Sequence, residues 1–492
     1  MYRSRLAFAL AMAALAAIFL PSSINAQITF QRTYGGADFD RGESVQPTSD
    51  GGFIITGRTW SFSAGDDDVW LIKTDARGDT LWTRTFGAAH EDRGYSVQQT
   101  LDGGYIIAGF CVPDEEYYDV YLIKTDASGD TQWTRTYGGM DDDLGYSVQQ
   151  TADSGYIIAG WTVTDGARTY FDVYLIRTDA RGDTLWTRTY GGGSDDGGNS
   201  VQQTADGGFV IAGYRSYVSA GPNDVWLLKT DASGDTQWTR TYGGTENDVG
   251  CSVQQAVDGG YIITGYTWSH GAGKDVYLLR TDANGDTLWT RTYGGTQNDQ
   301  GNSVRQTADR GFIVTGQTYS FGPGFYDLYL LKTDARGDTL WTRVYGTSYE
   351  EGTAVQLTSD GGYVITGHAS SPETGTDVYL VKTDSLGNVA VAESKASPVR
   401  APALSLSCEP NPCRGATRIS LKPQASSSKP LTLRIYDAQG RAVRSLSSLL
   451  SPPSSLTWNG RDDFGQPLPS GAYFIRCDFA GQHATTRIVL QR

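Results

Sequence analysis

The sequence predicts an all-β protein in which a seven-bladed β-propeller precedes a separate, small C-terminal domain. One observation behind this prediction is a repeat with a period of 51 to 53 residues. Another is the content of 61 Gly, 29 Tyr and 12 Trp against three Met, which is typical of turn-rich β structure. The turn Asp-Gly-Gly, or a close variant, marks each of the seven copies, at Asp50, Asp102, Asp153, Asp206, Asp258, Asp309 and Asp360.

Each repeat has the pattern of four short strands. In the fourth copy the strand-like segments are 198–204, 207–213, 224–230 and 236–242, and Gly, Asp or Asn separates them. The two middle segments are almost continuously apolar, which indicates that neighbours cover both of their faces, whereas the last alternates as an outer strand does. Four-stranded units repeated radially predict a propeller.

The two ends of the repeat region predict a closed ring. The seventh copy has no good fourth strand, because residues 388–392 lack the Trp and the Tyr-Gly-Gly of the other copies. Residues 29–36, at the start of the repeat region, match the missing segment. We therefore expect strand 28–34 to pair into the last blade, which would leave no exposed sheet edge at this point. The alternative is an open solenoid.

Three phrases of the repeat also match a known pattern. They are Trp-Thr-Arg-Thr-Tyr-Gly-Gly, Asp-x-Gly-x-Ser-Val-Gln-Gln-Thr and Asp-Gly-Gly-Tyr-Ile-Ile-Ala-Gly. Over residues 28–388 the chain resembles the bacterial SBBP-type β-propeller repeat. The resemblance implies the fold and adds little about activity.

The N-terminal residues 1–26 are typical of a secretory signal peptide. Arg3 and Arg5 precede an apolar run over 6–20, and small residues precede the cleavage point expected before Gln27. This run is shorter than the about 20 residues that a membrane span needs, so we expect no transmembrane segment in the mature chain. The predicted order is then a propeller over 27–392, a linker rich in Ala, Ser and Pro over 393–404, and a C-terminal domain over 405–492.

The C-terminal domain has its own set of motif residues, which are Pro410, Asn411, Pro412, Gly440, Gly471 and Tyr473. Segment 405–492 resembles the C-terminal sorting domain of the type IX (Por) secretion system, a small immunoglobulin-like β-sandwich. Residues 458–465 are also similar to the immunoglobulin-like module of flagellar hook-capping proteins. The resemblance implies that the type IX machinery is a partner, and that the protein is secreted across the outer membrane and is extracellular or attached to the cell surface. The alternative is an ordinary terminal β-sandwich without a role in export.

Charge and cysteine content restrict the partners. The net charge is −15, although residues 401–492 contain eleven Lys and Arg against five Asp and Glu, so the propeller is strongly acidic. An acidic body repels phosphate backbones, and nucleic acid is not an expected partner. Cys408, Cys413 and Cys477 lie together in the tail, where one disulfide, of a pairing that the sequence leaves open, can form in an oxidising compartment.

The connections between the second and third strands differ between copies and carry aromatic residues. Aromatic side chains on loops over a rigid scaffold are typical of a surface that binds a sugar or a protein, and the alternative is that they only cover the blade edge. The candidate ligand-binding residues are Trp60, Tyr117, Trp161, Tyr217, Trp268, Tyr319 and Tyr326.

An acidic residue stands two positions before a Gly in the turn between blades. A ring of carboxylates suits a divalent cation, which prefers oxygen ligands, but an acid that caps a turn would recur in the same way. The candidate metal ligands are Asp40, Asp92, Asp143, Asp196, Asp248 and Asp299, with Glu350 in the seventh copy.

The sequence favours binding over catalysis. Its four His occupy unrelated repeat positions, so neither a zinc cluster nor a His-based triad is expected, and no cofactor is predicted. The acids that align between copies recur in all of them, which indicates scaffold. The leading hypothesis is a non-enzymatic recognition or adhesion scaffold for a surface glycan or protein. The alternative is a secreted hydrolase that acts on glycans through a pair of carboxylates at the channel mouth.

Overall fold

The computed structural model describes residues 27–113, 117–163, 170–216, 222–271, 273–371, 375–389, 405–409, 411, 413–422, 431–437, 441–448, 454–479 and 482–491. These ranges contain strands and turns and no helix, and hence no helix that could cross a membrane. The predicted leader and linker lie outside them.

Seven antiparallel sheets of four strands form the blades, as predicted. The chain begins with β1 (Phe30–Tyr34) and then builds each blade from the channel outward. The innermost strands are β2 (Asp40–Pro47), β6 (Arg93–Gln99), β10 (Asp143–Gln150), β14 (Asp196–Gln203), β18 (Asp248–Gln255), β22 (Asp299–Gln306) and β26 (Tyr349–Leu357). Beside them lie β3 (Phe53–Thr59), β7 (Tyr105–Cys111), β11 (Tyr156–Val163), β15 (Phe209–Ser216), β19 (Tyr261–Thr267), β23 (Phe312–Thr318) and β27 (Tyr363–Ser371).

The two remaining positions of each blade are further from the channel. The third strands are β4 (Asp68–Thr74), β8 (Asp119–Thr125), β12 (Phe171–Thr178), β16 (Asn223–Thr230), β20 (Asp275–Thr281), β24 (Asp327–Thr333) and β28 (Gly375–Thr383). The outer strands of the first six blades are β5 (Thr80–Phe86), β9 (Thr131–Tyr137), β13 (Thr184–Tyr190), β17 (Thr236–Tyr242), β21 (Thr287–Tyr293) and β25 (Thr339–Tyr345). Neighbouring blades cover the second and third strands, which are almost completely buried, while the outer strands alternate between exposed and half-buried residues.

The ring is closed by the first strand. β1 pairs antiparallel with β28, Phe30 opposite Lys382 and Tyr34 opposite Val378, and so supplies the outer strand of the seventh blade. The hydroxyl of Tyr34 then donates to the carbonyl of Gly78 in the first blade at 2.6 Å. The innermost strands of the first and last blades are also in contact. The closed ring predicted from the repeat is therefore confirmed, and the open solenoid is not what forms.

A ladder of hydrogen bonds joins the innermost strands. The backbone N–H of Val97 donates to Oγ of Ser44 in the preceding blade at 3.3 Å. We call the boundary between two neighbouring blades a seam. The same contact occurs at five further seams, through Ser96, Ser147, Ser200, Ser252 and Ser303. The seventh copy has Ala354 at this position, so the seam between the last and first blades has no such serine.

The C-terminal domain is a β-sandwich, as predicted. One sheet holds β29 (Ser405–Glu409), β31 (Thr417–Lys422) and β34 (Ser454–Trp458). The other holds β30 (Cys413–Arg414), β32 (Leu431–Tyr436), β33 (Ala442–Ser448), β35 (Gly471–Phe479) and β36 (Gln482–Gln491). Its core packs Trp458 against Tyr473, with ring centroids 5.4 Å apart, and contains Cys408, Cys413 and Cys477.

Three of the six motif residues of the tail are described, and each has a structural position. The amide of Asn411 donates to the carbonyl of Arg487 at 2.8 Å and accepts from the N–H of Val489 at 2.9 Å, which ties residue 411 to β36. Tyr473 is buried and donates its hydroxyl to the carbonyl of Pro469, and Gly471 begins β35. Pro410, Pro412 and Gly440 lie outside the described residues.

Candidate functional site in the central channel

A bulge in each innermost strand places one side chain at the channel mouth. In the first blade Gly42 pairs with Gly57 and Ser44 with Thr56, so Glu43 is an extra residue between two paired ones. The close approach of the strands requires glycine, because a Cβ on Gly57 would lie 1.8 Å from the carbonyl oxygen of Arg41. The same irregularity occurs in all seven blades.

Many of the residues that break the sevenfold repeat lie around these bulges. They occupy the bulge itself, the position two residues before it, the residue paired with that position on the second strand, and the residue just before the third strand. We call the following set the channel-mouth cluster: Arg41, Glu43, Arg58, Asp67, Arg93, Tyr95, Tyr146, Trp161, Lys274, Gln300, Asn302, Tyr326, Glu351 and His368.

An arginine between two glutamates forms the centre of the cluster. Nε of Arg41 lies 2.8 Å from Oε1 of Glu43, and its NH2 lies 3.3 Å from Oε2 of Glu351. Nδ2 of Asn302 donates to the other oxygen of Glu351 at 2.8 Å. All three charged side chains are at most about a quarter exposed, since their exposed fractions are 26%, 15% and 13%. The two carboxylates therefore share one cation across the seam between the first and last blades.

Polar contacts continue from Asn302 into the fifth blade. Nε2 of Gln300 donates to Oδ1 of Asn302 at 2.6 Å, and Nζ of Lys274 donates to Oε1 of Gln300 at 2.6 Å. The Lys274 ammonium also lies over the ring of Tyr266, 4.3 Å from its centroid. These contacts hold the side chains in place before any ligand arrives.

On the other side of Arg41, a third carboxylate binds two more arginines. Oδ2 of Asp67 lies 3.0 Å from NH1 of Arg58 and 3.1 Å from Nε of Arg93. Asp67 is only 2% exposed. Arg93 also pairs with Glu91. Three guanidinium groups are therefore close together at this part of the mouth.

Aromatic side chains occupy the second and third blades. The rings of Tyr95 and Tyr146 have centroids 5.0 Å apart, and Nε1 of Trp161 donates to the hydroxyl of Tyr146 at 3.1 Å. Trp161 also packs on Phe171, with a centroid distance of 4.9 Å. One side of the mouth, in blades five to seven, one and two, is therefore charged and polar. The other side, in blades two and three, is aromatic.

Burial shifts the pKa of two groups in the cluster. It raises the pKa of Glu43, against the effect of the Arg41 charge. Burial also lowers the pKa of His368 to about 3, and the positive charges of Arg41 and Arg58 act in the same direction. His368 is therefore neutral near pH 7. Its ring nitrogens lie 3.9 Å from Glu351 and 3.4 Å from the hydroxyl of Tyr326.

The predicted aromatic residues fall into two groups. Trp161, Tyr319 and Tyr326 lie at the mouth, where Tyr319 and Tyr326 have centroids 5.3 Å apart. Trp60 and Trp268 lie on the loops of the same face and are 54% and 43% exposed, which is unusual for so large an apolar ring. Tyr117 is half-buried, and Tyr217 lies outside the described residues.

The predicted metal ligands are buried and cap turns. Oδ2 of Asp92, for example, accepts the N–H of Ala88 at 3.0 Å, and Oδ2 of Asp40 accepts that of Gly36 at 2.8 Å. Each of the six acids lies in a different blade. In the described part of the chain, no group of three or more His, Cys, Asp and Glu side chains is arranged to hold a metal ion. The divalent-cation site stays a prediction.

The sequence predicted two members of the channel-mouth cluster, Trp161 and Tyr326, but not its charged residues. The expectation that the acids recur in every copy is wrong for Glu43 and Asp67, whose equivalents in the other blades are not acidic. A comparison of the seven copies position by position would have found Glu43, because the bulge residue is Glu, Tyr, Tyr, Asn, Cys, Asn and Thr in turn.

Comparisons with known proteins agree with the two-part architecture. Residues 411–478 match the FlgD Ig-like domain family. The C-terminal domain is therefore FlgD Ig-like. Over 298 residues the chain is 26% identical to the regulatory protein FlaEY of Caulobacter vibrioides, an alignment that covers 50% of this chain and 31% of the relative. The chain thus spans less than a third of that relative's length.

Solved structures show more distant similarity. PorZ, an essential bacterial surface component of the type IX secretion system of Porphyromonas gingivalis, is 11% identical with a TM-score of 0.41, and the match covers 93% of this chain and 60% of PorZ. A PL25 ulvan lyase is 10% identical with a TM-score of 0.45, over 72% of this chain and 96% of the lyase. At such values neither function is transferred to this protein.

Proposed function

We propose that this protein is a secreted, non-enzymatic recognition module whose ligand binds at the channel-mouth cluster and the exposed aromatic rings beside it. One observation carries the proposal: in a nearly uniform sevenfold repeat, most of the positions around one end of the channel differ between copies. A scaffold needs uniform contacts, whereas a ligand without sevenfold symmetry needs an asymmetric surface. Guanidinium groups next to tyrosine and tryptophan suit a polar ligand, such as a surface glycan or a protein loop.

The state of the carboxylates supports binding rather than hydrolysis. Glycoside hydrolysis needs one carboxylic acid and one carboxylate, each directed at the substrate. Glu43 and Glu351 instead direct their oxygens at Arg41, and Asn302 donates to Glu351 as well. Both acids are engaged by the protein itself.

A glycan array, paired with a panel of glycosidase substrates, tests the proposal. We expect saturable binding without turnover, and binding at least tenfold weaker in Arg93→Ala or Trp60→Ala. Arg135→Ala, on an outer strand, is the matched control and should bind as the wild type does. Binding that is unchanged in both mouth variants would contradict the proposed site.

Hydrolysis of glycans is the second candidate function. The observation that favours it is the presence at the mouth of Glu43, an acid that occurs in one copy and whose pKa is raised by burial, as in a general acid. Turnover of any glycan that is lost in Glu43→Gln would replace the recognition proposal with this one.

Export by the type IX system completes the proposal. Support comes from the basic tail on an acidic body and from the motif residues at 410–412, 440, 471 and 473. A chain without residues 405–492 should fold, because β1 closes the ring without them, and should remain in the periplasm. Surface exposure of this truncated chain would refute the sorting role.

A further inference from the structure

Deeper in the channel, beyond the serine ladder, each innermost strand contributes one long polar side chain to a second ring. Six of the seven are glutamines and the seventh is an arginine, Arg305. Together with the serines they line a well of about 240 Å³. The glutamines are Gln46, Gln98, Gln149, Gln202, Gln254 and Gln356.

The orientation of the glutamine amides is set by the backbone. The N–H of Gln99 donates to Oε1 of Gln46 in the preceding blade at 3.2 Å, and four further seams repeat this bond at 2.5 to 2.6 Å. Because a backbone N–H occupies Oε1, the amide cannot be turned over without loss of that bond. The NH2 group is therefore the part of each amide that is left for the well, and it can only donate.

The seam between the last and first blades lacks this hydrogen bond, because Pro47 occupies the position of Gln99 and its equivalents. Proline has no backbone N–H and therefore donates no hydrogen bond to Oε1 of Gln356. That oxygen accepts Nε–H of Arg305 instead, at 3.0 Å, and NH1 of Arg305 donates to the carbonyl of Val304 at 2.8 Å. These two contacts orient the guanidinium in the ring.

The well therefore presents donors and one positive charge. Its described lining contains serine, glutamine, valine and Arg305, and no carboxylate. Burial lowers the pKa of Arg305 to about 10, which leaves it charged at pH 7. A cation without a carboxylate partner, in a ring of amide donors, is the arrangement that favours an anion.

We infer that the well binds an oxyanion, which accepts hydrogen bonds from the Arg305 guanidinium and from the surrounding glutamine amides. The site is separate from the channel-mouth cluster and does not depend on the proposed function. Its ligand is either a free inorganic oxyanion or the carboxylate of an acidic sugar, because both offer oxygen acceptors on a compact negative group.

Titration calorimetry with the full-length protein tests this inference, with sulfate, phosphate and D-glucuronate as probes at constant ionic strength. We expect one site per chain. Arg305→Gln should weaken binding at least tenfold without loss of folding, because glutamine occupies this position in the six other blades. Gln149→Glu should abolish binding, since it keeps the acceptor for the Gln203 N–H and replaces the donor with a negative charge.

Arg135→Gln, which removes a charge from an exposed outer strand, is the matched control and should bind as the wild type does. Binding of sulfate and phosphate alone would indicate a free inorganic anion, whereas competition by glucuronate would indicate an acidic sugar. The inference is wrong if none of the three probes binds the wild type, or if Arg305→Gln binds them as tightly.

Discussion

The guanidinium of Arg41, in the first blade, lies 3.3 Å from the carboxylate of Glu351, in the seventh. It joins the two blades at the seam where Ala354 interrupts the serine ladder. A second contact at this seam runs from Oγ1 of Thr353 to the carbonyl of Gly42, at 3.0 Å. At the last seam these two contacts therefore stand where the other six seams have the serine contact.

Removal of Arg41 should destabilise the propeller strongly. Arg41→Ala leaves Glu43 and Glu351 largely buried without their shared cation, and breaking such a contact costs about 3 kcal/mol. Urea unfolding followed by tryptophan fluorescence measures the effect. The control is Arg84→Ala, which removes an exposed pair with Asp130 and should cost less than about 1 kcal/mol. Equal losses in the two variants would show that the Arg41 contacts are not special.

The serine ladder predicts a stabilising substitution. Ala354→Ser should supply Val45 N–H with the acceptor that the equivalent valines already have, for a gain of about 1 kcal/mol. Ser147→Ala removes the acceptor of Val201 N–H, now 3.2 Å away, and should cost a similar amount. Thermal unfolding measures both effects: the unfolding temperature should rise in Ala354→Ser and fall in Ser147→Ala. A loss of stability in Ala354→Ser would mean that the last seam has no room for the hydroxyl.

Closure by β1 predicts a large effect of Phe30. This side chain is 2% exposed and packs edge-on against Phe53, with ring centroids 6.1 Å apart. Phe30→Ala should cost about 3–5 kcal/mol and make residues 27–34 sensitive to protease. Trp60→Ala, at an exposed position, should change the unfolding free energy little. Resistance of the N-terminal segment to protease in Phe30→Ala would contradict closure by this strand.

Stability should fall as the pH rises from about 4 to about 7. Burial, with a smaller contribution from neighbouring acids such as Asp68, raises the pKa of Asp92, Asp143 and Asp196 to about 6. An acid whose folded pKa is raised contributes its full stability below the unfolded value of about 3.9 and loses it as the pH rises through about 6. Unfolding of Asp92→Asn should depend less on pH than that of the wild type, whereas Ser128→Ala, which removes no titratable group from an exposed turn, should leave the profile unchanged.

The same variant tests the predicted cation site. If a divalent cation binds at Asp92, calcium should raise the unfolding temperature of the wild type at pH 7 and raise that of Asp92→Asn less. If calcium raises the unfolding temperature of both proteins equally, Asp92 does not bind the cation and its carboxylate only caps the turn.

The repeat pattern predicted the blades well because strands and turns depend on local sequence. Glycine at positive φ, as at Gly78, and alternation of apolar residues are visible in any one copy. Closure was predictable because the segment around Tyr34 matches a strand that the seventh copy lacks. The contacts within the channel-mouth cluster were not, since they join residues such as Arg41 and Glu351 that are far apart in sequence. The bulge that exposes Glu43 depends on strand pairing, which a single segment does not reveal.

Pairing of β1 with β28 has a consequence for synthesis. The first strand of the ring leaves the ribosome early, yet its partner, which begins at Gly375, is translated more than three hundred residues later. Closing so long a loop is entropically costly and slow. Incomplete chains keep an unpaired edge that proteases and other chains can reach. Pairing of β1 thus distinguishes completely synthesised chains, in which this edge is covered, from incomplete chains, in which it is exposed.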